Sequence, residues 1–253
     1  MHSIAVLSLK GGVGKSTVTL GLAGAAAARG LRTLVVDLDP QANATAALDT
    51  GEHEFTSGDV LADARAGIAA DAITPTGWGP QVDVIAADRA LEHRNVPEGR
   101  DSSLRLRVAL SGLETRYDLV LVDSPPSLGE LTRNALAAVD RALVVTEPGY
   151  FALQGAAQAL DAVSVVRSAA NLGLRPVGIV VNRVRSQHAE HAFRLTELRE
   201  VYGSLVLDPV VPDRSCIQQA QGAGVAVQTW RTPAAREVSD VFDRLLTHVL
   251  AAR

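Results

Sequence analysis

A glycine-rich segment near the N-terminus combines the residue types that bind phosphate. Gly11, Gly12 and Gly14 carry no Cβ, so backbone N–H groups can turn inward and approach an anion. Lys15 and Ser16 follow; a lysine here would reach the β- and γ-phosphates, and the serine hydroxyl would bind Mg²⁺. A helical pattern begins at the same point and adds the positive end of a helix dipole. The segment therefore predicts a site for a nucleoside triphosphate with magnesium.

The distribution of lysine supports this interpretation. The chain contains 24 lysine and arginine residues, of which only Lys10 and Lys15 are lysines. Lysine is a compact point charge on a flexible stem, whereas arginine is a planar fork, so the two are not interchangeable. Because both lysines lie in the glycine-rich segment, we expect each to act on the phosphates. The segment departs from the general G-x-x-x-x-G-K-[ST] pattern, since its first position is Leu9 and Lys10 is an additional lysine.

Polar side chains follow several predicted strands at the point where each strand ends. Asp37 and Asp39 follow the second apolar run, Asp123 follows a later one, and Asn182 and Asp213 follow the last two extended segments. In doubly wound α/β proteins, ligands bind beyond the carboxyl ends of the strands. Carboxylates beside a triphosphate can hold Mg²⁺ or orient an attacking water molecule. We therefore expect these side chains to surround one ligand site.

The apolar pattern alternates between strands and helices, and the strands are continuously apolar, as expected when both faces of a sheet are covered. It predicts an α/β fold with a doubly wound, mostly parallel sheet and helices on both faces, in a single domain over residues 1–253. The predicted strands are 4–7, 33–36, 82–86, 117–122, 142–145 and 177–181, with mostly extended chain over 206–211. The predicted helices are 18–29, 59–66, 104–113, 128–138, 151–170, 189–201 and 234–250.

The composition narrows the classes of function. The net charge of −4 excludes a uniformly basic nucleic-acid-binding surface but leaves room for a local basic patch. The single cysteine, Cys216, allows neither an internal disulfide nor a four-thiolate metal site within one chain. No apolar run approaches the ~20 residues of a membrane span, and the N-terminal residues lack the pattern of a secretory signal. We expect a cytoplasmic protein.

Three motifs, in order along the chain, resemble those of the ParA/MinD family of deviant Walker A ATPases. The glycine-rich segment resembles the deviant Walker A motif and reads Lys10-Gly11-Gly12-Val13-Gly14-Lys15-Ser16-Thr17. The family's first switch is similar to Asp37-Leu38-Asp39-Pro40-Gln41-Ala42-Asn43-Ala44-Thr45. Its Walker B and second switch are similar to Val122-Asp123-Ser124-Pro125-Pro126-Ser127-Leu128-Gly129. The resemblance covers most of the chain and implies a P-loop NTPase fold with ATP and Mg²⁺ as ligands.

The resemblance also implies roles for individual residues. Lys10 would reach across a dimer interface to the partner's nucleotide, so that two chains enclose two ATP molecules and ATP controls dimerisation. Lys10, Lys15 and Asp39 would be catalytic, with Asp39 positioning the attacking water. The implied ATP-binding residues of the loop are Lys10, Gly11, Gly12, Val13, Gly14, Lys15, Ser16 and Thr17. The implied metal ligands are Ser16, Asp37 and Asp123.

Two further segments resemble the adenine loops of the family. Asn182 stands in Val181-Asn182-Arg183, and the second segment is Pro212 with Asp213. An asparagine amide can both donate to and accept from the edge of adenine. The match is closer to the MinD side of the family, because ParA-like members often carry an arginine directly after that proline. An asparagine in a plain turn at the end of a strand is an equally open interpretation.

Which binding partners the resemblance implies depends on whether the chain is ParA-like or MinD-like. ParA-like members bind DNA nonspecifically, and a ParB-like adaptor stimulates hydrolysis to segregate a chromosome, plasmid or other cargo. Phosphate contacts by several arginines would give sequence-independent, salt-sensitive affinity. The candidate DNA contacts are Arg183, Arg185, Arg194, Arg199 and Arg214. Neighbouring glutamates dilute this patch, so a solvated helix face is the alternative interpretation.

A MinD-like, membrane-associated positioning ATPase is the alternative function, since such proteins end in a basic amphipathic helix. The predicted last helix carries acidic and basic residues opposite its apolar side, which favours packing in the core. A third hypothesis is an ATP-dependent, amide-forming synthetase of the same fold, which Lys10 and the first switch disfavour. The favoured hypothesis is a cytoplasmic, nucleoid-associated ATPase that dimerises with ATP, turns over slowly and makes no stable membrane insertion.

Overall fold

The computed structural model describes residues 1–99 and 101–251. Within these ranges, seven strands form one sheet, in the order β3-β4-β2-β5-β1-β6-β7. The strands are β1 (His2–Leu7), β2 (Thr33–Asp37), β3 (Ile73–Pro75), β4 (Val82–Ile85), β5 (Leu119–Asp123), β6 (Arg141–Thr146) and β7 (Arg175–Val181). All neighbouring strands are parallel except β3, which pairs antiparallel with β4 at one edge. The loops that follow β1, β2, β5, β6 and β7 therefore meet at one end of the sheet.

Helices cover both faces of this sheet. Over the same described ranges the α-helices are α1 (Lys15–Ala28), α2 (Asn43–Ala47), α3 (Ser57–Asp63), α4 (Arg105–Ala109), α5 (Glu130–Ala138), α6 (Ala152–Ala169), α7 (Ala189–Tyr202), α8 (Ser215–Gly222) and α9 (Pro233–Ala251). Side chains of α1, α2, α8 and α9 pack on one face, and those of α3 to α7 pack on the other. The predicted doubly wound, mostly parallel α/β fold is confirmed.

Alternation along the strands divides the core into two layers. In β1, Ile4 and Val6 contribute to the layer with α1 and α9, whereas Ala5 and Leu7 contribute to the opposite layer. Successive side chains of a strand point to opposite faces, so a strand buried on both sides must be apolar at every position. This is why the interior strands show no polar alternation in the sequence, among them β1, which lies between β5 and β6.

Two predicted elements differ most from the structure, the helix predicted over 59–66 lies at Ser57–Asp63, and β3, α2 and α8 were not predicted. The extended chain over 206–211 does not become a strand: Val206 makes an isolated bridge to Ile179, and Pro212, directly after the segment, makes another to Val184. Pro209 and Pro212 lack the backbone N–H that a continuous ladder requires. The helix predicted over 104–113 is shorter, because a 3₁₀ turn precedes α4 and the helix ends at Ala109. The chain then turns through Gly112, whose φ is +88°.

A glycine permits the close packing of α1 against α9. A Cβ added at Gly21 would lie 2.3 Å from two ring carbons of Phe242, and this ring is fully buried. Cβ atoms do not approach other atoms that closely, so the ring or the helix would have to move. Gly155 in α6 is a matched control, since nothing among the described residues lies within 4 Å of a Cβ placed there.

Gly21→Ala should therefore lower the free energy of unfolding by about 1–3 kcal/mol through overpacking. Gly155→Ala should leave it unchanged or raise it by about 0.5–1 kcal/mol, because alanine is the better helix former. Urea unfolding followed by circular dichroism measures both. Equal effects of the two substitutions would contradict the packing described for α1 and α9.

Candidate nucleotide-binding site

The glycine-rich loop connects the central strand β1 to the N-terminus of α1, which begins at Lys15. Gly12 and Gly14 have φ values of +83° and +89°, in the left-handed region that favours glycine. Gly14 also has no room for a side chain, because a Cβ would lie 2.2 Å from Nδ2 of Asn182. The loop thus places backbone N–H groups and a helix N-terminus at the carboxyl end of the sheet, where an anion can bind.

An open cleft of about 700 Å³ lies over this loop. Its size is in the range of pockets that hold a small-molecule ligand. The loop and α1 form its floor, and the switch segment after β2, Pro126 and the end of α8 form its walls. The lining residues are Gly11, Gly12, Gly14, Lys15, Ser16, Thr17, Leu20, Asp39, Gln41, Asn43, Ala46, Ala47, Pro126, Arg183, Gln221 and Gly222.

Asp123 ends β5 and is fully buried beneath the start of α1. The Ser16 hydroxyl donates to its Oδ2 at 2.6 Å, and the Thr19 hydroxyl lies 3.2 Å from its Oδ1. A serine hydroxyl and a carboxylate are thereby brought together at the edge of the cleft. These are oxygen ligands of the kind that Mg²⁺ uses when it also binds substrate phosphates.

Lys15 and Asp39 form a buried ion pair in the cleft, with 3.6 Å between Nζ and Oδ2. Their side chains are only 7% and 5% exposed. Oδ1 of Asp39 accepts from the backbone N–H of Gln41 at 3.0 Å. The aspartate therefore faces the lysine that the sequence assigns to the phosphates.

Asp37 is directed into the switch segment rather than into the cleft. Its Oδ2 accepts from the backbone N–H and the hydroxyl of Thr45, at 2.9 and 2.8 Å, and its Oδ1 accepts from the backbone N–H of Asp39 at 3.0 Å. The carboxylate is fully buried. Asp37 thus ties the start of α2 to the end of β2 and fixes the path of the chain past Asp39.

Burial of these carboxylates raises their pKa values. Desolvation raises the pKa of Asp123 to about 7, and the nearby Asp37 carboxylate adds to the rise, while Lys15 and the Ser16 hydroxyl oppose it. Desolvation likewise raises the pKa of Asp37 to about 6, against the hydrogen bonds from Thr45. Negative charge is therefore costly at this end of the sheet until a cation joins it.

The donor set fits a magnesium ion that arrives with a phosphate ligand. Among residues 1–99 and 101–251, no group of three His, Cys, Asp or Glu side chains could hold a metal by itself. Mg²⁺ is commonly bound by one or two protein oxygens together with substrate phosphates and water. Ser16, which lines the cleft, and Asp123, which accepts its hydrogen bond, are such a pair of oxygen ligands.

The segments predicted to contact adenine lie beside the loop, but only one has an open hydrogen-bonding group. Asn182 is buried and donates from Nδ2 to the Val13 carbonyl at 2.8 Å, while its Oδ1 lacks a partner within the described residues. That oxygen is available to an amino group such as the one on adenine. Pro212 bridges to Val184, and Asp213 accepts from Nε of Arg185 at 2.6 Å. Like Asn182, both lie outside the described lining of the cleft.

Lys10 is the exposed lysine of the loop, with a side chain that is 50% accessible. Its Nζ donates to Oε1 of Glu147, in the loop that follows β6. Tyr150 and Phe151 continue the same loop, and Tyr150 is 74% exposed. The Arg194 guanidinium lies 5.2 Å from the Tyr150 ring centre and 5.1 Å from that of Phe193. Lys10 thus stands at the border of an exposed aromatic patch, which we define as Tyr150, Phe151 and Phe193.

The five arginines predicted to contact DNA all have partners within the chain. Arg183 donates to the Gly12 carbonyl at the phosphate-binding loop. The remaining four form ion pairs, namely Arg185 with Asp213, Arg194 with Glu190 and Glu197, Arg199 with Asp208, and Arg214 with Glu237. Arg183 is thereby separated from the other four and lies in the lining of the nucleotide cleft.

Sequence reasoning did not single out three residues of the site. Thr45 anchors Asp37, Glu147 pairs with Lys10, and Gln221 in α8 lines the cleft with its Nε2 3.4 Å from the Thr17 hydroxyl. Thr45 falls within the switch motif, which was a usable signal. Glu147 and Gln221 come from distant segments, and nothing in their local sequence indicates the site.

Fold and loop geometry together define a P-loop nucleotide-binding protein. A family model described as an AAA domain matches residues 1–175. The chain is 34% identical over 233 residues to the chromosome partitioning protein ParA of Caulobacter vibrioides, covering 90% of this chain and 86% of that protein. It is 32% identical over 261 residues to the chromosome-partitioning ATPase Soj of Thermus thermophilus, covering 100% of this chain and 98% of that protein. The chain belongs to the ParA/MinD family of ATPases.

Solved structures agree on the fold. Cobyrinic acid a,c-diamide synthase of Mycobacterium smegmatis, with bound ADP and magnesium, superposes with a TM-score of 0.82 at 27% identity, covering 100% of this chain and 97% of that one. The ATP complex of a McdA variant from Cyanothece gives a TM-score of 0.84 at 20% identity, covering 100% and 97% of the two chains. Among the helices of residues 1–99 and 101–251, none combines the length and apolar character needed to cross a membrane.

The raised pKa of Asp123 predicts how the stability of the nucleotide-free protein depends on pH. The pKa of Asp123 is about 7 in the folded protein, against an ordinary value of 3.8, so folding takes up a proton at pH values between the two. The contribution of Asp123 to stability therefore falls as pH rises from about 4 to 7. Asp123→Asn should remove this loss, so its stabilisation relative to wild type should be about 2.7 kcal/mol larger at pH 8 than at pH 5.

Chemical unfolding at the two pH values measures this difference. Asp118→Asn is the control, because Asp118 is exposed and its hydrogen bonds with Arg32 lower its pKa. That control should not stabilise the protein at either pH. If Asp123→Asn has the same effect at pH 5 and pH 8, the carboxylate carries no ionisation penalty and the buried arrangement described above is wrong.

Proposed function

We propose that this chain is a partitioning ATPase, acting as one domain over residues 1–253, that hydrolyses ATP with Mg²⁺ and dimerises when ATP is bound. The observation that carries the proposal is the contrast between the two lysines. Lys15 is buried against Asp39 inside the cleft, whereas Lys10 projects from the same loop to the surface. An exposed cation beside a phosphate-binding loop is suited to act on a nucleotide held by a second copy of the chain.

The proposed substrate is ATP, and a bound Mg²⁺ would supply positive charge to its phosphates. Ser16 and Asp123 are the groups that would hold the metal. Lys15 would turn from Asp39 to the phosphates, which leaves the Asp39 carboxylate free to orient water and accept its proton. Asp37 would keep Asp39 in place through the backbone contact and the anchoring by Thr45. Intrinsic turnover would be slow, because Asp39 begins in an ion pair and must be released.

The surface around Lys10 supports dimerisation. The aromatic patch of Tyr150, Phe151 and Phe193 is exposed at the same end of the sheet as the phosphate-binding loop. An exposed apolar patch of this kind is typical of a protein–protein contact. Glu147 would release Lys10 when the partner's phosphates compete for the ammonium group.

The DNA-binding part of the proposal rests on the relatives, which are named as chromosome partitioning proteins. Arg185, Arg199 and Arg214 are the candidate contacts, since their side chains are 43–58% exposed despite their ion pairs. Exposed ion pairs are weak and can exchange a carboxylate for a DNA phosphate. A ParB-like adaptor would stimulate hydrolysis and release the dimer, so that the protein acts in the cytoplasm on the nucleoid.

The last helix favours this proposal over the membrane-associated alternative. The apolar side of α9 is buried in the core through Ala235, Val238, Phe242, Leu245, Leu246 and Val249. Arg29, directly after the last residue of α1, also pairs with Asp243 at 2.6 Å and holds α9 to the domain. An interfacial helix needs a free apolar face. Liposome sedimentation with ATP tests the alternative directly.

An ATP-dependent amide-forming synthetase is the second candidate function. The similarity to cobyrinic acid a,c-diamide synthase favours it, at 27% identity over the whole chain. The exposed Lys10 disfavours it, because a monomeric synthetase site has no need of a surface cation beside the loop. Turnover of ATP that depends on an added carboxylic acid and an amine donor would support the synthetase; turnover without them supports the partitioning ATPase.

The dimer is tested with Asp39→Ala and Lys10→Ala. Asp39→Ala should bind ATP but hydrolyse it at least about tenfold more slowly, since the residue that orients water is gone. Its ATP-bound dimer should therefore persist longer than that of wild type in size-exclusion chromatography with light scattering. Lys10→Ala should bind ATP as a monomer and lose both dimerisation and turnover.

Lys10→Arg is the matched control, because arginine keeps the charge but changes its shape; it should restore dimerisation only in part. A Lys10→Ala protein that dimerises and hydrolyses ATP like wild type would overturn the assigned role of Lys10. An Asp39→Ala dimer that dissociates as fast as wild type would overturn that of Asp39.

DNA binding is tested by retention on duplex DNA at several salt concentrations, with and without ATP. The combined variant Arg199→Ala and Arg214→Ala should bind more weakly, and the slope of log affinity against log salt should fall by about 2. Arg65→Ala is the control, because Arg65 is exposed and ion-paired to Asp63 in a different region. Unchanged retention in the combined variant, or retention that ignores ATP, would contradict this part of the proposal.

A further inference from the structure

We infer that Asn95 is a positioning residue for ATP hydrolysis, which anchors the segment that runs from Asp123 past the nucleotide cleft to α5. We define this second-switch segment as residues 124–129, between the end of β5 and the start of α5. Pro126 of the segment lines the cleft. The inference rests on the proposed function, since it concerns the turnover of ATP, and it gives a role to a residue that lies outside the three sequence motifs.

The N-terminus of α5 receives its hydrogen-bond acceptors from Asn95. The helix begins at Glu130, and its N-cap residue is Gly129, which has no side chain that could accept a hydrogen bond. The first N–H groups of a helix have no partner within the helix, and a side-chain oxygen at the N-cap commonly accepts one of them. Here the Asn95 carbonyl accepts from the N–H of Glu130, and its Oδ1 accepts from that of Leu131, both at 3.4 Å. Asn95 therefore replaces the missing cap from a different part of the chain.

The glycine at the end of the second-switch segment is matched to this asparagine. A Cβ added at Gly129 would lie 1.9 Å from Oδ1 of Asn95, a distance that no side chain could keep. The φ of Gly129 is −71°, which any residue can adopt, so space rather than backbone conformation accounts for the glycine. The Asn95 amide thus occupies the place of the side chain that position 129 lacks.

Further contacts fix the path of the second-switch segment between its two ends. At its start, the backbone N–H of Ser124 donates to the Val6 carbonyl at 3.3 Å. Near its end, the Thr132 hydroxyl in α5 donates to the Ser127 carbonyl at 2.6 Å. Pro126 lies between these two contacts. Its position at the cleft therefore depends on where the first turn of α5 is held.

The body of α5 is held to the domain by other residues. Nδ2 of Asn134 donates to the Ser102 carbonyl at 2.9 Å, and its Oδ1 accepts from the N–H of Leu106 at 3.1 Å. The Ser102 hydroxyl also donates to the buried Glu130 carboxylate. These contacts remain when the side chain of Asn95 is removed. Loss of Asn95 should consequently loosen the switch end of α5 without detaching the helix.

A second asparagine, Asn171, holds the opposite end of the same helix and provides a matched control. Its Nδ2 donates to the carbonyls of Leu136 and Val139, at 3.1 and 2.7 Å. The helix has nine residues and is about 13 Å long, so Asn171 acts far from the second-switch segment. Asn95 and Asn171 have the same chemistry and hold the same helix. Comparing them separates the position of the switch from the stability of the helix.

The first test compares ATP turnover and ADP binding of the full chain for Asn95→Ala, Asn95→Asp and Asn171→Ala. Asn95→Ala should lower kcat about tenfold, because a displaced second-switch segment misaligns the groups around the reacting phosphate. Its Kd for ADP should stay within about twofold of wild type, since the phosphate-binding loop is unchanged. Asn95→Asp should keep kcat within about threefold, because a carboxylate also accepts from N–H groups at a helix N-terminus. Asn171→Ala should keep kcat within about twofold.

The second test measures amide hydrogen exchange of the nucleotide-free chain, which reports on the anchor independently of turnover. Asn95→Ala should speed the exchange of the Glu130 and Leu131 amides by at least about threefold, because the acceptor for Leu131 is gone. Asn171→Ala should leave the exchange of these two amides unchanged. Asn95 is half-buried, so its truncation should leave the chain folded, which thermal melting of each variant checks.

The outcomes that overturn the inference are distinct. Equal losses of kcat in Asn95→Ala and Asn171→Ala would show that only the stability of α5 matters. A normal kcat in Asn95→Ala would show that the anchor does not serve hydrolysis, even with faster exchange. Absence of turnover in the wild type would overturn the proposed function, and the exchange measurement would still decide whether Asn95 holds the second-switch segment.

Discussion

The burial of the Asp123 carboxylate at the end of β5 is the constraint on which the rest of the site depends. A carboxylate that is taken out of water is stable only when hydrogen bonds and positive charge surround it. Ser16, Thr19 and Lys15 supply these groups, and all three lie in the first turn and a half of α1. The loop before α1 must consequently fold tightly against β5, and this fold places an anion-binding concavity beside a buried carboxylate.

The second carboxylate, Asp37, extends this arrangement to the switch segment. It accepts hydrogen bonds from Thr45 and from the backbone of Asp39, so the segment after β2 is anchored at both ends of a short turn. Asp39 is then held against Lys15, where a γ-phosphate would compete with it for the ammonium group. In the nucleotide-free site, Lys15 and Asp39 therefore neutralise each other: the former is the proposed phosphate-binding cation and the latter the proposed base. In the proposed function, a triphosphate with its metal would replace this ion pair, and ligand binding would thereby be coupled to a change in the switch.

The surface shows a related division of charge. Lys10 and the aromatic patch lie at the nucleotide end of the sheet, and Glu147 holds the lysine there in the single chain. Four of the five arginines predicted to contact DNA instead form ion pairs with nearby carboxylates. The protein, whose net charge is −4, therefore carries 22 arginines without a uniformly basic surface. These arginines could bind a DNA phosphate only by exchanging one anionic partner for another. The affinity of any such DNA contact would therefore depend on the salt concentration.

The sequence alone determined the fold class, the phosphate-binding loop and the family, because these are encoded locally: apolar strands of fixed length, glycines where φ must be positive, and a serine after a lysine at the start of a helix. It also placed Asp39, Asp123 and Asn182 at strand ends, since parallel strands bring their carboxyl ends together. Only the tertiary structure decided what each side chain touches. Asp37 faces Thr45 instead of the cleft, and the stretch 206–211 makes an isolated bridge rather than a strand. Glu147 contacts Lys10 from a loop 137 residues away. Arg183 donates to the Gly12 carbonyl, whereas Arg185 does not. Most of these contacts join segments that are distant in the chain. The direction of a side chain depends on its backbone angles and on the residues that pack against it, and the local sequence specifies neither.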